Sequence, residues 1–358
     1  MQNILIVTGG SGGHVIPSIT IFKHLKKNFL VRIVSDLRGS KFIDKNKYNY
    51  EIMDIPNLFL KKYLLPINIF KYFFNILKSF NYLKKNKINI IISTGGYMSL
   101  PFCLAAFLLK KKIYLIEPNS FLGRSNKIVL NFSNKIICYD NNLENFPKKY
   151  NSKKISIDPI LNNQLYNLKK NTKVLNSKKK KILIIGGSQG ASFFDNYITD
   201  AIVNISKKLD IEVIQQISNK EIFSIVEEKY KKADIKYEFF SFIKESNKIY
   251  EGVDLAITRG GAGTLSELSF LNIPFISIPL PSAKDNHQYH NSNYYYKKKL
   301  CWIIDQNKFD LNELSNLIFE IFENKNDYSR IINYMDKLTK NNTWNTINNR
   351  IIEIINEN

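Results

Sequence analysis

A chain of 358 residues, 44% of them hydrophobic, is too long for one ordinary core and apolar enough to build two. Its 52 basic against 31 acidic residues leave a formal charge of +21, which favours anionic partners such as nucleic acid, an anionic membrane surface or phosphorylated substrates. Heavy use of Lys, Asn, Ile and Tyr throughout, as AT-rich coding produces, accounts for part of that excess. Cys103, Cys138 and Cys301 are isolated, so neither a disulfide framework nor a metal-ligand spacing is present and buried or incidental thiols are expected. No apolar run reaches the roughly 20 residues of a membrane span; the stretch from Leu100 to Leu109 is too short and contains Pro101.

The first residues enter a strand, Ile4-Leu5-Ile6-Val7, without the basic region or cleavage site of a secretion signal. Thr8-Gly9-Gly10-Ser11-Gly12-Gly13-His14 follows, then a helical pattern from Pro17 through Leu25, the proline being suited to a first turn. Further strands are expected at Val31–Asp36, at Ile90–Ser93 ending in Thr94-Gly95-Gly96-Tyr97, at Ile113–Ile116 ending in Glu117-Pro118-Asn119, and at Lys135–Cys138. Between Leu168 and Lys181 the chain turns polar and basic, a linker whose Lys178–Lys181 run reads as solvated charge. Ile182–Ile185 then leads into Gly186-Gly187-Ser188-Gln189-Gly190-Ala191, the same order of strand, double glycine and helix as at the start. Strands at 212–216, 236–240, 255–257 and 274–279, helices at 219–231, 264–271 and 286–299, and helical periodicity from Leu311 to Ile355 complete an α/β doubly wound pattern in two similar domains.

The densest glycine turn is Thr258-Arg259-Gly260-Gly261-Ala262-Gly263-Thr264-Leu265-Ser266-Glu267, between an apolar strand and a helix. Glycines admit close backbone approach, helix-start amides attract anionic groups, and the Glu267 carboxylate can accept hydrogen bonds from hydroxyls, a grip suited to a nucleotide-sugar. Neither double-glycine loop is the fingerprint of a dinucleotide site or a phosphate loop. Each alone could be a plain turn; together, at the carboxyl ends of strands, they fit ligand cradles. Asp36 either imitates a ribose-binding acid or caps a helix. His14 stands at a helix start, where the positive helix end disfavours imidazolium and leaves a neutral ring able to take a proton; a capping or packing role is the alternative. Glu117 is a strand-end acid, placed for a cleft or for turn chemistry. His24 is expected on a helix surface. His287 and His290 have no third ligand at good spacing, so no metal is expected, whereas Gln288 and Asn291 can hydrogen-bond a sugar or phosphate. Over residues 67–85, Ile67, Phe70, Phe74 and Leu77 recur at helical spacing, Phe73 and Phe80 widen the apolar arc, and Lys61, Lys62, Lys71, Lys78, Lys84 and Lys85 flank it. Such a stripe suits a core helix or, with its basic rim, an anionic membrane interface.

In order, Thr8 to Pro17, Gly95-Gly96-Tyr97-Met98-Ser99-Leu100-Pro101, Gly186 to Ala191 and Thr258 to Glu267 resemble the MurG family of bacterial cell-wall glycosyltransferases over nearly the whole chain. The resemblance implies the GT-B fold, two Rossmann-like domains facing a cleft: an acceptor- and membrane-binding domain at 1–160, a linker at 161–180, a UDP-sugar-binding domain at 181–340 and a helix at 341–358 returning toward the first domain. It implies inverting transfer of N-acetylglucosamine from UDP-N-acetylglucosamine to the muramoyl 4-hydroxyl of lipid I, giving lipid II, without a cofactor. It further implies a peripheral place on the cytoplasmic face of the inner membrane, held through the 67–85 helix, with no nucleic acid partner.

By the same resemblance Glu267 binds the donor ribose, Ser188 the diphosphate, and Ile243 packs on uracil. Ala262, Gly263, Thr264 and Leu265 supply backbone contacts, with Ser266 in the same run, and Gln288 reads the sugar. Ser11, Gly12, Gly13 and Asn119 match the N-terminal side of the donor site, and His14 matches a proposed base, with Glu117 the second choice. The chain departs at Ile116 and Pro118, at His287 where relatives have glutamine, and at Leu161, where an arginine would meet the donor diphosphate; Arg259 is the expected substitute. A nucleotide-dependent oxidoreductase and a non-catalytic basic relative that binds membrane or RNA are the rival readings.

Overall fold

The computed structural model describes residues 1–53, 55, 65–172, 178–187, 191–217, 220–241 and 247–357. Ser188 and Ile243 therefore lie outside the described residues, as do Lys61 and Lys62 and the side chain of Ile67. The chain divides into two compact units, Met1–Asn163 with Thr343–Asn358, and Gln164–Asn342.

The first unit is a seven-stranded parallel sheet of β1 (Asn3–Val7), β2 (Leu30–Ser35), β3 (Tyr50–Ile52), β4 (Ile90–Ser93), β5 (Lys112–Glu117), β6 (Lys135–Cys138) and β7 (Lys154–Ser156), in the order β3-β2-β1-β4-β5-β6-β7. Its crossovers carry α1 (Gly12–Leu25), α2 (Leu37–Ser40), α3 (Leu65–Lys85), α4 (Ser99–Leu108) and α5 (Arg124–Val129). Successive side chains of a strand point to opposite faces, and here both faces are buried: Leu5, Val7, Ile91, Ile113 and Leu115 join one cluster, Ile4, Ile6, Ile90, Ile92 and Ile116 another. That is why these strands read as unbroken apolar runs. The three-residue edge strands β3 and β7 have no such run and escape a sequence reading.

The second unit is a six-stranded parallel sheet of β8 (Lys180–Ile185), β9 (Ile211–Gln216), β10 (Lys236–Phe240), β11 (Leu255–Thr258), β12 (Phe275–Ser277) and β13 (Cys301–Ile303), in the order β10-β9-β8-β11-β12-β13. After α6 (Ala191–Phe193) the chain passes through a π-helical turn, Phe194–Ile198, into α7 (Thr199–Ser206); α8 (Lys220–Lys232), α9 (Ala262–Phe270), α10 (His287–Lys297), α11 (Leu311–Glu323) and α12 (Lys325–Thr339) follow. The basic run at 178–181 is not all solvated. Lys180 opens β8 and is buried, its ammonium 5.8 Å from the centre of the Phe322 ring, and Lys181 lies 3.7 Å from Glu212. Long lysine stems cover apolar surface while the charge finds a partner.

The periodic tail is three helices, separated by caps. Asp310, Asn324 and Thr343 accept from the amides of Glu313, Asp327 and Thr346 at 2.8, 3.1 and 3.1 Å. The last helix, α13 (Trp344–Asn356), belongs to the first unit, where Ile347, Ile351, Ile354 and Ile355 join the cluster built on Ile4 and Ile6. Two expectations fail here. α1 begins at Gly12, so Pro17 lies inside it, where it has no amide to give to the Gly13 carbonyl. His24 is not on the surface. It is 1% exposed, stacked on Trp344 with ring centres 3.6 Å apart, and its Nδ1 lies 3.3 Å from Asn348 Oδ1. The apolar arc of α1 is wide enough to take in a ring that α13 then covers.

Burial lowers the His24 imidazole to about 4, against a partial opposing pull from Asn348. The unfolded chain thus binds the extra proton first, so this stability is present above about pH 6.5 and is lost as pH falls toward 4, to the extent of about 3 kcal/mol. In a Trp302→Phe background, Trp344 fluorescence should report a unit 1 unfolding free energy that falls between pH 7 and 5, and His24→Phe should flatten that fall. An unchanged slope in the variant would assign the pH dependence elsewhere.

Candidate functional site

In both sheets the strand order reverses beside the first strand, between β1 and β4 and between β8 and β11. Ligands of open α/β sheets bind at such points, outside the carboxyl ends of the strands. The glycine turns are the loops that leave these four strands.

In the first unit, Gly9–Gly13 follows β1 and Gly95-Gly96 follows β4, with Gly10, Gly95 and Gly96 at φ of +83°, +88° and +78°. Ser11 precedes α1 without a side-chain cap, and its carbonyl accepts from the amides of His14 and Val15 at 3.1 and 3.2 Å, so the amides at Gly12 and Gly13 start the helix as open donors. His14 is half-buried on that first turn. Its Nδ1 lies 2.7 Å from the Thr94 carbonyl oxygen. A carbonyl only accepts, so Nδ1 carries the hydrogen and Nε2 of the neutral ring keeps its lone pair. The Thr94 peptide is itself fixed: its amide donates to the Val7 carbonyl at 3.3 Å, and its hydroxyl lies 3.0 Å from those of Thr8 and Ser18. A side chain at Gly95 or Gly96 would lie against the His14 ring, at 3.4 and 3.7 Å.

Glu117 ends β5 and is 3% exposed. Its Oε1 accepts from the Asn119 amide and side chain at 3.2 and 2.9 Å, and its Oε2 from the Gly123 amide and Asn126 Nδ2 at 2.9 and 3.0 Å. The carboxylate therefore organises the loop that presents Asn119, with four donors on its two oxygens. Asp36 is the cap of α2. Buried, it accepts from the amides of Gly10 and Gly39 at 2.9 and 2.7 Å and from the Tyr97 hydroxyl. Burial works to raise its carboxyl, but Tyr97, Gly10, Gly39 and the Arg38 charge together hold it below the ordinary range. Both oxygens bind the protein itself, in keeping with the helix-capping alternative. Leu161, where the resemblance expects an arginine, is 3% exposed.

In the second unit, Gly187 follows β8 at φ +68°, its amide donating to Gln216 Oε1 at 2.8 Å. After β11, Gly261 opens α9 with no side-chain cap, and the first intrahelical bond is from the Leu265 amide to the Gly261 carbonyl, 3.0 Å. The amides of Ala262, Gly263 and Thr264 thus form the open end of α9. Leu265 and Ser266 turn their side chains inward; Ser266 Oγ lies 3.3 Å from the Tyr295 hydroxyl. Glu267, one turn on, accepts from the Tyr250 hydroxyl at 2.6 Å through Oε2, while Oε1 has no partner among the described residues. Burial raises its carboxyl, partly offset by Tyr250. Gln288, on the first turn of α10, accepts the Leu280 amide at 3.0 Å, and Asn291 donates to the Gly260 carbonyl at 2.9 Å. A Cβ on Gly260 would stand 2.2 Å from the Gln288 carbonyl oxygen, so the glycine is what lets α10 meet the turn. His287 Nδ1 lies 2.7 Å from the Lys284 carbonyl.

Arg259 does not replace the missing arginine. Only 6% exposed, it donates from Nη1 to the Ile278 carbonyl at 2.9 Å and to Gln306 Oε1 at 2.5 Å, with its guanidinium over the Phe193 and Phe194 rings. Burial brings it down to about 10. A sequence reading had no route to Thr94, Asn126 or Tyr250: each acts through a contact between segments 9 to 80 residues apart, without a local pattern.

Two Rossmann-like sheets, each with open amides at its switch point, are the arrangement of the GT-B fold. The model of the glycosyltransferase family 28 N-terminal domain matches residues 4–138, and that of the family 28 C-terminal domain matches residues 181–343. The chain is 43% identical to the UDP-N-acetylglucosamine–N-acetylmuramyl-(pentapeptide) pyrophosphoryl-undecaprenol N-acetylglucosamine transferase of Pelagibacter ubique, covering 100% of this chain and 99% of that one. It is 33% identical to the protein of the same name from Rickettsia felis, over 90% and 92% of the two chains. The crystal structure of Acinetobacter baumannii MurG has the same fold, with a TM-score of 0.76 at 22% identity over 94% of this chain and 95% of that one. The chain belongs to the MurG family of glycosyltransferases.

Gly260→Ala should displace the start of α10 and destabilise the 164–342 unit by about 1–3 kcal/mol, the usual cost of overpacking. Urea unfolding followed through Trp302 in a Trp344→Phe background would measure this. Native stability in that variant would show that the contact between turn and helix is slack.

Proposed function

We propose that the protein transfers N-acetylglucosamine from UDP-N-acetylglucosamine to the muramoyl 4-hydroxyl of lipid I, giving lipid II and UDP with inversion at the anomeric carbon. The observation that carries the reading is the 43% identity to a transferase of that name along the whole chain. Neither the oxidoreductase nor the non-catalytic alternative is supported by these relatives.

In this reaction the acceptor oxygen bonds to the anomeric carbon as the bond from that carbon to the UDP oxygen breaks. The electron pair leaves on the diphosphate, and the hydroxyl proton passes to a base. His14 suits the base, because the Thr94 carbonyl holds its hydrogen on Nδ1 and leaves Nε2 to accept. Glu117 suits a supporting role, since its four donors would have to be given up before it could take a proton. The open amides of Ala262, Gly263 and Thr264 suit the leaving diphosphate. Glu267 suits the ribose: Tyr250 steadies one oxygen and the other is open to a hydroxyl. Ser11, Gly12, Gly13 and Asn119 suit the donor from the first unit, Gln288 its sugar, and Ser188 and Ile243 its diphosphate and base.

The membrane is the second partner, and α3 supports that reading by an inverted amphipathicity. Its buried face is Tyr72, Asn75, Ser79 and Leu83, while Phe70, Phe73, Phe74 and Leu77 are 65%, 58%, 48% and 45% exposed. The apolar stripe that could have been core faces outward, with Lys71, Lys78, Lys84 and Lys85 exposed beside it. No helix among the described residues is long and apolar enough to cross a membrane. A basic-rimmed apolar face of this kind suits peripheral binding to the anionic cytoplasmic leaflet.

UDP release with a lipid I analogue tests the reaction directly, and absence of turnover would reject it. His14→Ala should lower kcat by about 10²- to 10⁴-fold with UDP affinity unchanged. Glu267→Gln should do the reverse, weakening UDP about tenfold. Because burial raises Glu267, donor affinity of the native protein should decline on acidification from above the ordinary glutamate range. Near-native turnover of His14→Ala would remove the histidine from the role of base. On the membrane side, Phe73→Ser with Phe74→Ser should abolish flotation with phosphatidylglycerol vesicles, and retention of flotation would move the contact to another face.

A further inference from the structure

We propose that Arg38 binds the diphosphate of the lipid-linked acceptor. The inference rests on the reading of the reaction given above and adds a residue to its acceptor side.

Arg38 sits just past the carboxyl end of β2, its side chain 59% exposed. An exposed arginine is ordinarily free to sweep, yet this one is fixed. Its Nη2 donates to the Tyr97 hydroxyl at 2.8 Å, its guanidinium lies 5.2 Å from the centre of the Tyr97 ring, and its Nε is 3.6 Å from Asp36 Oδ2. The Tyr97 hydroxyl donates in turn to Asp36, which also ties down Gly10 and Gly39. A buried carboxylate and a half-buried tyrosine thus aim a guanidinium whose remaining N–H groups have no partner among the described residues.

Tyr97 also ties this guanidinium to the loops beside His14. Tyr97 follows Gly96, and the position a Cβ would take at Gly96 is 3.7 Å from the His14 ring and 3.7 Å from the Gly9 carbonyl. The corresponding position at Gly10 is 3.8 Å from the Tyr97 ring. Contacts thus lead from His14 through the Gly95-Gly96 turn and Tyr97 to the Arg38 fork. In the acceptor, the 4-hydroxyl and the carbon bearing the diphosphate are at opposite ends of one sugar ring. A hydroxyl at His14 therefore puts the diphosphate one sugar ring away from the histidine, and Arg38, reached from His14 through Tyr97, presents an exposed guanidinium to meet it. Asp36 offsets part of the guanidinium charge, so recognition depends on the directed, bidentate hydrogen bonds that Arg makes to phosphate oxygens more than on net charge. A surface arginine serving only to cap the Asp36 cluster would have no effect on the acceptor alone.

The test compares Arg38→Gln and Tyr97→Phe with the native protein in UDP release from UDP-N-acetylglucosamine and a lipid I analogue, with farnesyl diphosphate as inhibitor. Arg38→Gln should raise the acceptor KM roughly ten- to a hundredfold, raise the inhibition constant of farnesyl diphosphate by a similar factor, and leave the donor KM unchanged. Tyr97→Phe should raise the same two constants by less. An unchanged acceptor KM would overturn the proposal. So would a raised KM with an unchanged inhibition constant, inhibition that does not compete with the acceptor, or a donor KM that rises in step. Failure of the underlying reading looks different: the native protein itself would release no UDP.

Discussion

The feature on which the rest depends is the reversal of strand order beside the first strand of each sheet. Parallel strands cannot be joined by tight turns, so each connection crosses a face, and at the reversal successive crossovers leave on opposite faces. The loops after β1 and β4, and after β8 and β11, part there and leave backbone exposed between them. Backbone at such a place must be short of side chains and rich in unpaired amides. The glycine turns answer the first need and the uncapped starts of α1 and α9 the second. His14 and the amides of Ala262, Gly263 and Thr264 are carried by these loops or by the helix turns that follow them, while Glu117 and Asn119 stand at the end of β5.

Around these loops the polar groups divide by burial. The Asp36 and Glu117 carboxylates are nearly fully buried and are occupied by backbone and side-chain donors of their own loops. His14 and Glu267 are less enclosed, and each has one polar atom tied and one open: Nδ1 on a carbonyl with Nε2 open, Oε2 on a tyrosine with Oε1 open. Fixing one atom sets the direction of the other. The two strand-end acids thus serve the framework with both oxygens satisfied, whereas Glu267, on α9, keeps one oxygen without a partner among the described residues.

This division marks what the sequence could convey. The central strands announce themselves because burial on two faces demands apolar residues at successive positions, and the glycine turns because few other residues accept those backbone angles next to that packing. The edge strands do not, since Tyr50-Glu51-Ile52 and Lys154-Ile155-Ser156 bury little and show no run. His24 misled because a histidine among helix residues carries no sign of the Trp344 that covers it from 320 positions away. Arg259 misled in the opposite sense: its place in a glycine turn suggests a ligand, whereas its guanidinium is folded back over Phe193 and Phe194. In α3 the periodicity was legible but its direction was not, because a stripe of Phe and Leu reads the same whether it faces a sheet or a bilayer.

The close meeting of Gly260 with the Gln288 carbonyl bears on how such a protein can change over evolutionary time. The helix that carries Gln288, proposed for the sugar, and the turn whose amides are proposed for the diphosphate meet through main-chain atoms, with Asn291 fastening them. The groups proposed for sugar and diphosphate therefore cannot drift apart by small helix shifts, as they could if side chains cushioned the contact. A lineage that acquires a different sugar must do so by exchanging side chains on a fixed backbone, one position at a time, with the phosphate grip retained throughout.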